Sequence, residues 1–73
     1  MNNIFIKLTA VGYQTSTSTQ YFAEPKLVLI NPFKIISAIP NEKGSTELRD
    51  EIGKNVILVK ESPTEIYELI NQA

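Results

Sequence analysis

The chain contains neither cysteine nor histidine, and these two absences constrain its fold and chemistry more than any residue that is present. They exclude disulfides, thiol nucleophiles, and metal sites built from thiolate or imidazole ligands. A chain of 73 residues buries only ~60% of the surface that it exposes when unfolded, so its core supplies ~3–5 kcal/mol of net stability. We therefore expect one small domain over residues 1–73, for which self-association remains a means of further stabilisation.

Catalysis in such a chain would have to rest on carboxylates, lysines or tyrosines. These groups need burial or a charged neighbour to bring their pKa values near 7, and a domain of this size has little interior for that arrangement. We predict that the protein is not an enzyme and has no catalytic residues, no cofactor and no bound metal. An oxygen-ligand metal site is the weaker alternative, but the spacing of its acidic residues matches no known ligand loop. Those residues are Glu47, Asp50, Glu51 and Glu61.

The charged residues are nearly balanced, with seven basic and eight acidic side chains and a net charge of −1. The lysines of the first half stand singly, which disfavours nucleic acid as a partner because phosphate contacts dominate its binding. The longest apolar run, residues 27–30, is far shorter than the ~20 residues of a membrane span. Since residues 1–4 do not resemble a secretory signal, we expect a cytoplasmic protein without a membrane span.

Several short segments have the pattern of β-strands. Apolar residues alternate at the start of the chain, so Ile4, Ile6 and Leu8 should face the core while Phe5 points the other way. Residues 26–30 contain four consecutive apolar residues, two of them β-branched, and a turn-forming Asn-Pro pair follows them. Residues 34–39 are apolar on both faces, which predicts a strand that is central in the sheet or covered on both sides.

A segment rich in threonine and serine separates the first two strands. We interpret residues 14–24 as a loop at the tip of a long hairpin, whose arms are residues 10–14 and 20–23. Tyr21 and Phe22 close this loop. The segment is either a solvated connection, which we favour, or a loop that is phosphorylated or grips a ligand.

Residues 45–52 fit two structures. A helix capped by Ser45 would place Leu48 and Ile52 four residues apart, with a glycine just past its end. A strand would instead lead through a hairpin at residues 53–55 into the strand at residues 56–60, which needs an antiparallel neighbour. We favour the strand, because a two-turn helix would leave that neighbour to be found elsewhere.

The end of the chain carries the clearest helix signal. Ser62 stands at the N-cap, Pro63 at the first helical position and Glu65 at the third, which is a capping box with the preferred proline added. Apolar residues then recur at the spacing of one helix face, at Ile66, Leu69 and Ile70. We predict that Ser62 and Glu65 have a structural role in starting this helix.

Three short motifs resemble a group of very small bacterial and phage proteins. They are Ile6-Lys7-Leu8-Thr9, then Leu29-Ile30-Asn31-Pro32 followed by Lys34-Ile35, and Val59-Lys60-Glu61-Ser62 leading into Glu65-Ile66. The group is the flagellar and swarming-motility small protein family (FlbD-like), with related proteins in Bacteroidetes and their phages. The resemblance implies an α+β fold, a small and strongly bent antiparallel sheet or partial barrel of four to five strands with a C-terminal helix. It also implies a non-catalytic accessory or regulatory protein.

Aromatic residues outside the predicted core suggest how such a protein would act. We expect contact with another protein or with a second copy of the chain, through exposed aromatic side chains. The candidates are Phe5, Tyr21, Phe22 and Tyr67. The alternative is a small β-barrel that binds single-stranded nucleic acid, in which aromatic rings stack on bases beside lysines. The pairs considered for that role are Phe5 with Lys7, and Tyr13 and Tyr21 with Lys26.

Overall fold

Five strands and one helix follow each other along the chain in a computed structural model that describes residues 5–50 and 56–72. The elements are β1 Ile6–Gln14, β2 Thr19–Ile30, a 3₁₀ turn Pro32–Lys34, β3 Ile35–Pro40, β4 Thr46–Asp50, β5 Val56–Val59 and α1 Pro63–Gln72. The strands form one antiparallel sheet in the order β2-β1-β5-β4-β3, which does not close into a barrel. This confirms the predicted small α+β fold with a C-terminal helix.

The two edge strands of this sheet are consecutive in sequence, and this requires the sheet to bend. A flat sheet of five strands would hold its edges ~19 Å apart, as four spacings of ~4.8 Å. The connection from Ile30 to Ile35 contains the turn Pro32–Lys34. Since a 3₁₀ turn rises ~2 Å per residue, that connection reaches at most ~13 Å. The sheet therefore curls so that the Ile30 end of β2 and the Ile35 end of β3 come close to each other.

Irregular pairing accompanies the bend. Val11 is an extra residue of β1 against β5, and Ile36 is an extra residue of β3 against β4. Residues 22–25 of β2 lie opposite Val11 alone. Pro25 lies in this stretch, which is where a strand tolerates a residue without an N–H group. Bulges of this kind bend a strand and increase its twist.

The core lies between the sheet and the helix. It consists of Ile6, Leu8, Leu48, Val59 and Ile66. We call the face of the sheet that packs against α1 the inner face, and the opposite face the outer face. The predicted inward direction of the first strand is confirmed at its described core positions, whereas Ile4 lies outside the described residues.

The predicted capping box is confirmed at the start of α1. The Glu65 backbone N–H donates to Ser62 Oγ at 3.1 Å, and the Ser62 backbone N–H donates to Glu65 Oε1 at 3.1 Å. Each bond satisfies an N–H group that the first turn of a helix leaves without an internal partner. Ile66 follows one residue later and is buried in the core, so the cap positions the helix on the sheet.

We expect Ser62→Ala to lower the free energy of unfolding by ~1 kcal/mol, because it removes the N-cap acceptor. Urea unfolding followed by circular dichroism measures this change. Thr64→Ala is the matched control, since Thr64 is exposed in the same helical turn. An equal loss in both variants would contradict the capping role.

For residues 45–52, the strand that we favoured over a helix is confirmed in the described part, where β4 spans Thr46–Asp50. β4 pairs with β5 as well as with β3. Residues 51–52 and the proposed hairpin turn at residues 53–55 lie outside the described residues.

Two other predictions are wrong. β3 is an edge strand rather than a central or covered one, and Ile36 is 63% exposed. Among the described strands, β3 pairs with β4 alone, because the other side of β4 is occupied by β5. Apolar residues on both faces of a strand do not reveal this order. The predicted hairpin is present, but the loop at its tip is shorter than residues 14–24, because Gln14 ends β1, residues 15–18 form the turn and residues 19–24 belong to β2. Thr15 closes that turn by donating its backbone N–H to the Ser18 carbonyl oxygen at 2.8 Å.

Candidate functional site

The outer face of β2 carries exposed leucines beside the open edge of the sheet. Val28 and Ile30 pack against the core on the inner face, so the intervening Leu27 and Leu29 point outward, as the alternation of a strand requires. Leu27 is 71% exposed and Leu29 is 59% exposed. Phe5 is also exposed and, preceding the inward Ile6, lies on the same face.

The backbone direction of β2 follows from the hydrogen bonds of its neighbour. The Thr9 carbonyl oxygen accepts from the Lys60 N–H at 2.8 Å, and the Thr9 N–H donates to Glu61 Oε1 at 2.9 Å. Both groups of Thr9 therefore point away from β2, where Leu27 lies opposite Thr9. Residues opposite each other in an antiparallel ladder exchange either both of their hydrogen bonds or neither.

Leu27 and Thr9 accordingly form a non-hydrogen-bonded pair. The N–H and C=O groups of Leu27 point away from β1, and those of Leu29, two residues further on, have the same direction. β2 is the first strand in the sheet order, so no described strand pairs with it on that side. The same two leucines thus present both their side chains and their peptide groups at the open edge.

The predicted aromatic residues are divided between surfaces. Tyr21 lies opposite Gly12 on the outer face, with the Lys43 ammonium group 5.3 Å from its ring centroid. Phe22, the next residue along the strand, contacts Tyr13 with a centroid separation of 6.0 Å. The Lys26 ammonium group lies 4.7 Å from the centroid of the Phe22 ring. Tyr21 and Phe22 therefore do not contribute to one surface.

The other two candidates also lie apart in the fold. Tyr67 is 67% exposed on α1, whose Ile66 packs against the inner face, whereas Phe5 lies on the outer face. Of the four predicted residues, Phe5 is the one next to the Ile6–Ile30 pair, at the end of β2 that carries the leucines. Sequence reasoning missed Leu27 and Leu29 because residues 26–30 are apolar almost throughout. Their alternation with two core residues was the signal that could have identified them.

The acidic residues considered for a metal site have other partners. The Glu61 carboxylate accepts the Thr9 N–H and, through Oε2 at 3.0 Å, the Thr9 hydroxyl. Glu47 Oε1 lies 3.6 Å from an Arg49 guanidinium nitrogen. Asp50 lies opposite Ile35 in the sheet, and Glu51 lies outside the described residues. Within residues 5–50 and 56–72, no three acidic side chains are grouped as metal ligands would be.

Two concave regions accompany these surfaces. A cavity of about 180 Å³ lies where the ends of β2 and β3 approach each other, with Ile30, Ile35 and Leu48 among its lining residues. A shallower depression of about 390 Å³ on the outer face includes Tyr21 and Lys43. In the described part of the chain, no helix has the length and apolar character needed to cross a bilayer.

The open edge of β2 is the candidate functional site. Strand addition to a sheet edge uses main-chain hydrogen bonds for affinity and alternate side chains for specificity. Leu27 and Leu29 present both kinds of group in one short segment. No protein-family model matches the chain, and no curated protein or solved structure is significantly similar to it.

Proposed function

We propose that this chain is a small, non-enzymatic accessory or regulatory protein of the cytoplasm that acts by binding a protein at the β2 edge. The observation that carries the proposal is the coincidence of exposed leucines with outward peptide groups at Leu27 and Leu29. The accessory role is supported by the resemblance of the sequence to small flagellar and swarming-motility proteins. The binding mode is supported by the geometry of the edge.

The energetics of the edge favour a protein partner. Complete burial of a leucine side chain contributes ~1.5–3 kcal/mol relative to leaving it exposed. An uncovered edge strand with apolar side chains is a template for pairing with another chain. Pro25 cannot donate a hydrogen bond to an added strand, so it limits regular pairing on one side of residues 26–30. The site is therefore a short one that accepts an extended segment of defined length.

Site-specific photocrosslinking in the native host tests this function. With benzoylphenylalanine in place of Leu29, we expect a discrete protein adduct, because the position faces the bound chain. The matched control carries the same group in place of Glu68, which is exposed on α1. We expect little or no adduct there, because a residue exposed on α1 does not contact a chain that is bound at the β2 edge. Equal yields at both positions, or no adduct from position 29, would refute the proposal.

Single-stranded nucleic acid is the second candidate partner. The proximity of Lys43 to the Tyr21 ring resembles a stacking site with a cation beside it. However, Tyr13 lies opposite Gln20 in the sheet, so it projects from the face opposite to Tyr21. The two tyrosines considered for stacking are therefore separated. An adduct from position 29 that nuclease removes and protease leaves would favour this candidate over a protein partner.

A further inference from the structure

We propose that the partner at the β2 edge is a second copy of this chain, paired antiparallel about a two-fold axis at Val28. The inference rests on the proposed function, because it names the partner of that same edge. The five-stranded sheet of each copy would continue across the axis into the other. The register, the side chains and the charges of residues 26–30 each support this arrangement.

The register follows from the outward peptide groups. A two-fold axis at Val28 sets Leu27 opposite Leu29 of the second copy, and each such pair exchanges both of its N–H···O bonds. Setting Leu27 opposite Leu27 would instead place Leu29 against Pro25, which has no N–H group to donate. Setting Leu29 opposite Leu29 would place Leu27 against Asn31, which lies beyond the end of β2 at Ile30. Of these three registers, only the one with its axis at Val28 pairs each outward N–H and C=O group of Leu27 and Leu29 with a leucine that lies within β2 of the second copy.

The side chains of this segment are self-complementary in that register. Leu27 and Leu29 of the two copies form one continuous apolar stripe on the outer face, since directly opposite residues share a face. On the inner face, Val28 meets Val28 at the axis, and Lys26 lies opposite Ile30. Leu27 meets Leu29 of the second copy while Leu29 meets Leu27 of that copy, which is the reciprocal contact that an isologous interface requires.

The charges of the segment do not oppose this pairing. Lys26 is the charged residue of residues 26–30, and it stands at one end. In the Val28 register the two Lys26 positions are four residues apart along the ladder, a separation of ~14 Å. Charges at that distance are largely screened at physiological ionic strength, where the Debye length is ~8 Å.

The size of the contact predicts a reversible dimer. A stable interface commonly buries ~800 Å² on each partner, and a five-residue ladder with two leucines a side provides less than that. The dimer should therefore form and dissociate within the concentration range of ordinary solution experiments. Because association stabilises the folded state, the melting temperature should rise with protein concentration.

Sedimentation velocity on two variants with opposite new charges, and on their mixture, tests both the dimer and its register. We expect Leu27→Lys and Leu29→Glu each to weaken self-association, because each places unpaired charges in the leucine stripe. In the Val28 register, a mixture of the two variants forms a heterodimer with the new lysine opposite the new glutamate. This heterodimer has as many replaced leucines as either homodimer, but it sets the two new charges opposite each other and restores one Leu–Leu pair, whereas each homodimer has two charges facing leucines. We expect it to be roughly fivefold tighter than either homodimer, the scale of a favourable cross-strand charge pair.

The controls separate failure of this inference from failure of the proposed function. Tyr67→Lys, an exposed change on α1, should leave the dimer unchanged, and circular dichroism verifies that every variant is folded. A wild-type chain that stays monomeric at millimolar concentration overturns the dimer, and a mixture no tighter than its components overturns the register. If position 29 then still crosslinks to a different protein, the proposed function stands without the dimer. If position 29 crosslinks to nothing, both fail.

Discussion

Gly12→Ala is expected to lower the free energy of unfolding by ~3 kcal/mol, at the upper end of the usual cost of overpacking. A Cβ atom built on Gly12 would collide with the Gln20 carbonyl oxygen and lie 3.1 Å from the Tyr21 Cα atom. Both contacts are with the backbone of β2, so relief requires the strand itself to move. A domain whose core supplies ~3–5 kcal/mol would lose most of its stability. Urea unfolding followed by circular dichroism measures the loss.

Gly44 provides the control for this substitution. A Cβ atom at Gly44 has no atom within 4 Å, but φ is 86° there. Gly44→Asn keeps a residue that tolerates positive φ, so we expect it to change stability by only a few tenths of a kcal/mol, in the range of surface substitutions. If Gly12→Ala proved as mild as Gly44→Asn, the close approach of β1 and β2 would be wrong. A positive φ occurs at Gly44 and not at Gly12, so a loss of stability in Gly12→Ala reports the collision with β2 and not an unfavourable φ.

The parts of the fold that could be predicted from the sequence are those set by local chemistry. Ser62 and Glu65 form reciprocal bonds three residues apart, and that spacing is visible in the chain. The inward direction of Ile6 and Leu8 likewise depends only on the period of a strand. Such signals involve neighbours along the chain, so no knowledge of the tertiary arrangement is needed to interpret them.

The candidate site could not be predicted in the same way, because its position depends on strand order. Nothing within residues 26–30 indicates that β2 lies at an edge, since β1 takes its second neighbour from β5. The same limitation explains why the prediction for β3 is wrong, since apolar side chains on both faces do not show whether a strand lies at the edge of a sheet. Three of the four aromatic candidates are exposed, namely Phe5, Tyr21 and Tyr67, but the leucines at the open edge required the sheet topology.

Two of the motifs that carry the family resemblance meet in the structure. The segment at residues 6–9 lies in β1, and the segment at residues 59–62 leads from β5 into α1. Thr9 from the first and Glu61 from the second are joined by the bonds described above. Thr46 joins the same junction from β4, because its hydroxyl donates to the Glu61 carbonyl oxygen at 2.6 Å. Such a junction depends on how β1, β4 and the end of β5 lie relative to one another in the sheet, not on the spacing of residues within one strand.

The Glu61 side chain holds this junction, so Glu61→Gln should lower the free energy of unfolding by ~2 kcal/mol. The loss reflects hydrogen bonds to a charged acceptor, each of which contributes ~1.5–3 kcal/mol. Glutamine keeps the size of the side chain, but its amide group would turn a donor toward the two donors of Thr9. Urea unfolding measures the change, and Glu68→Gln, at an exposed position of α1, should have an effect below ~0.5 kcal/mol.

A double-mutant cycle shows whether this loss arises at Thr9. Thr9→Val removes the hydroxyl and keeps the N–H group, so it deletes the bond to Glu61 Oε2 while leaving the N–H bonds to the carboxylate. If the carboxylate acts through Thr9, the two substitutions should be coupled by ~1 kcal/mol, as expected for residues in one hydrogen-bond network. Strictly additive effects would mean that Glu61 acts elsewhere.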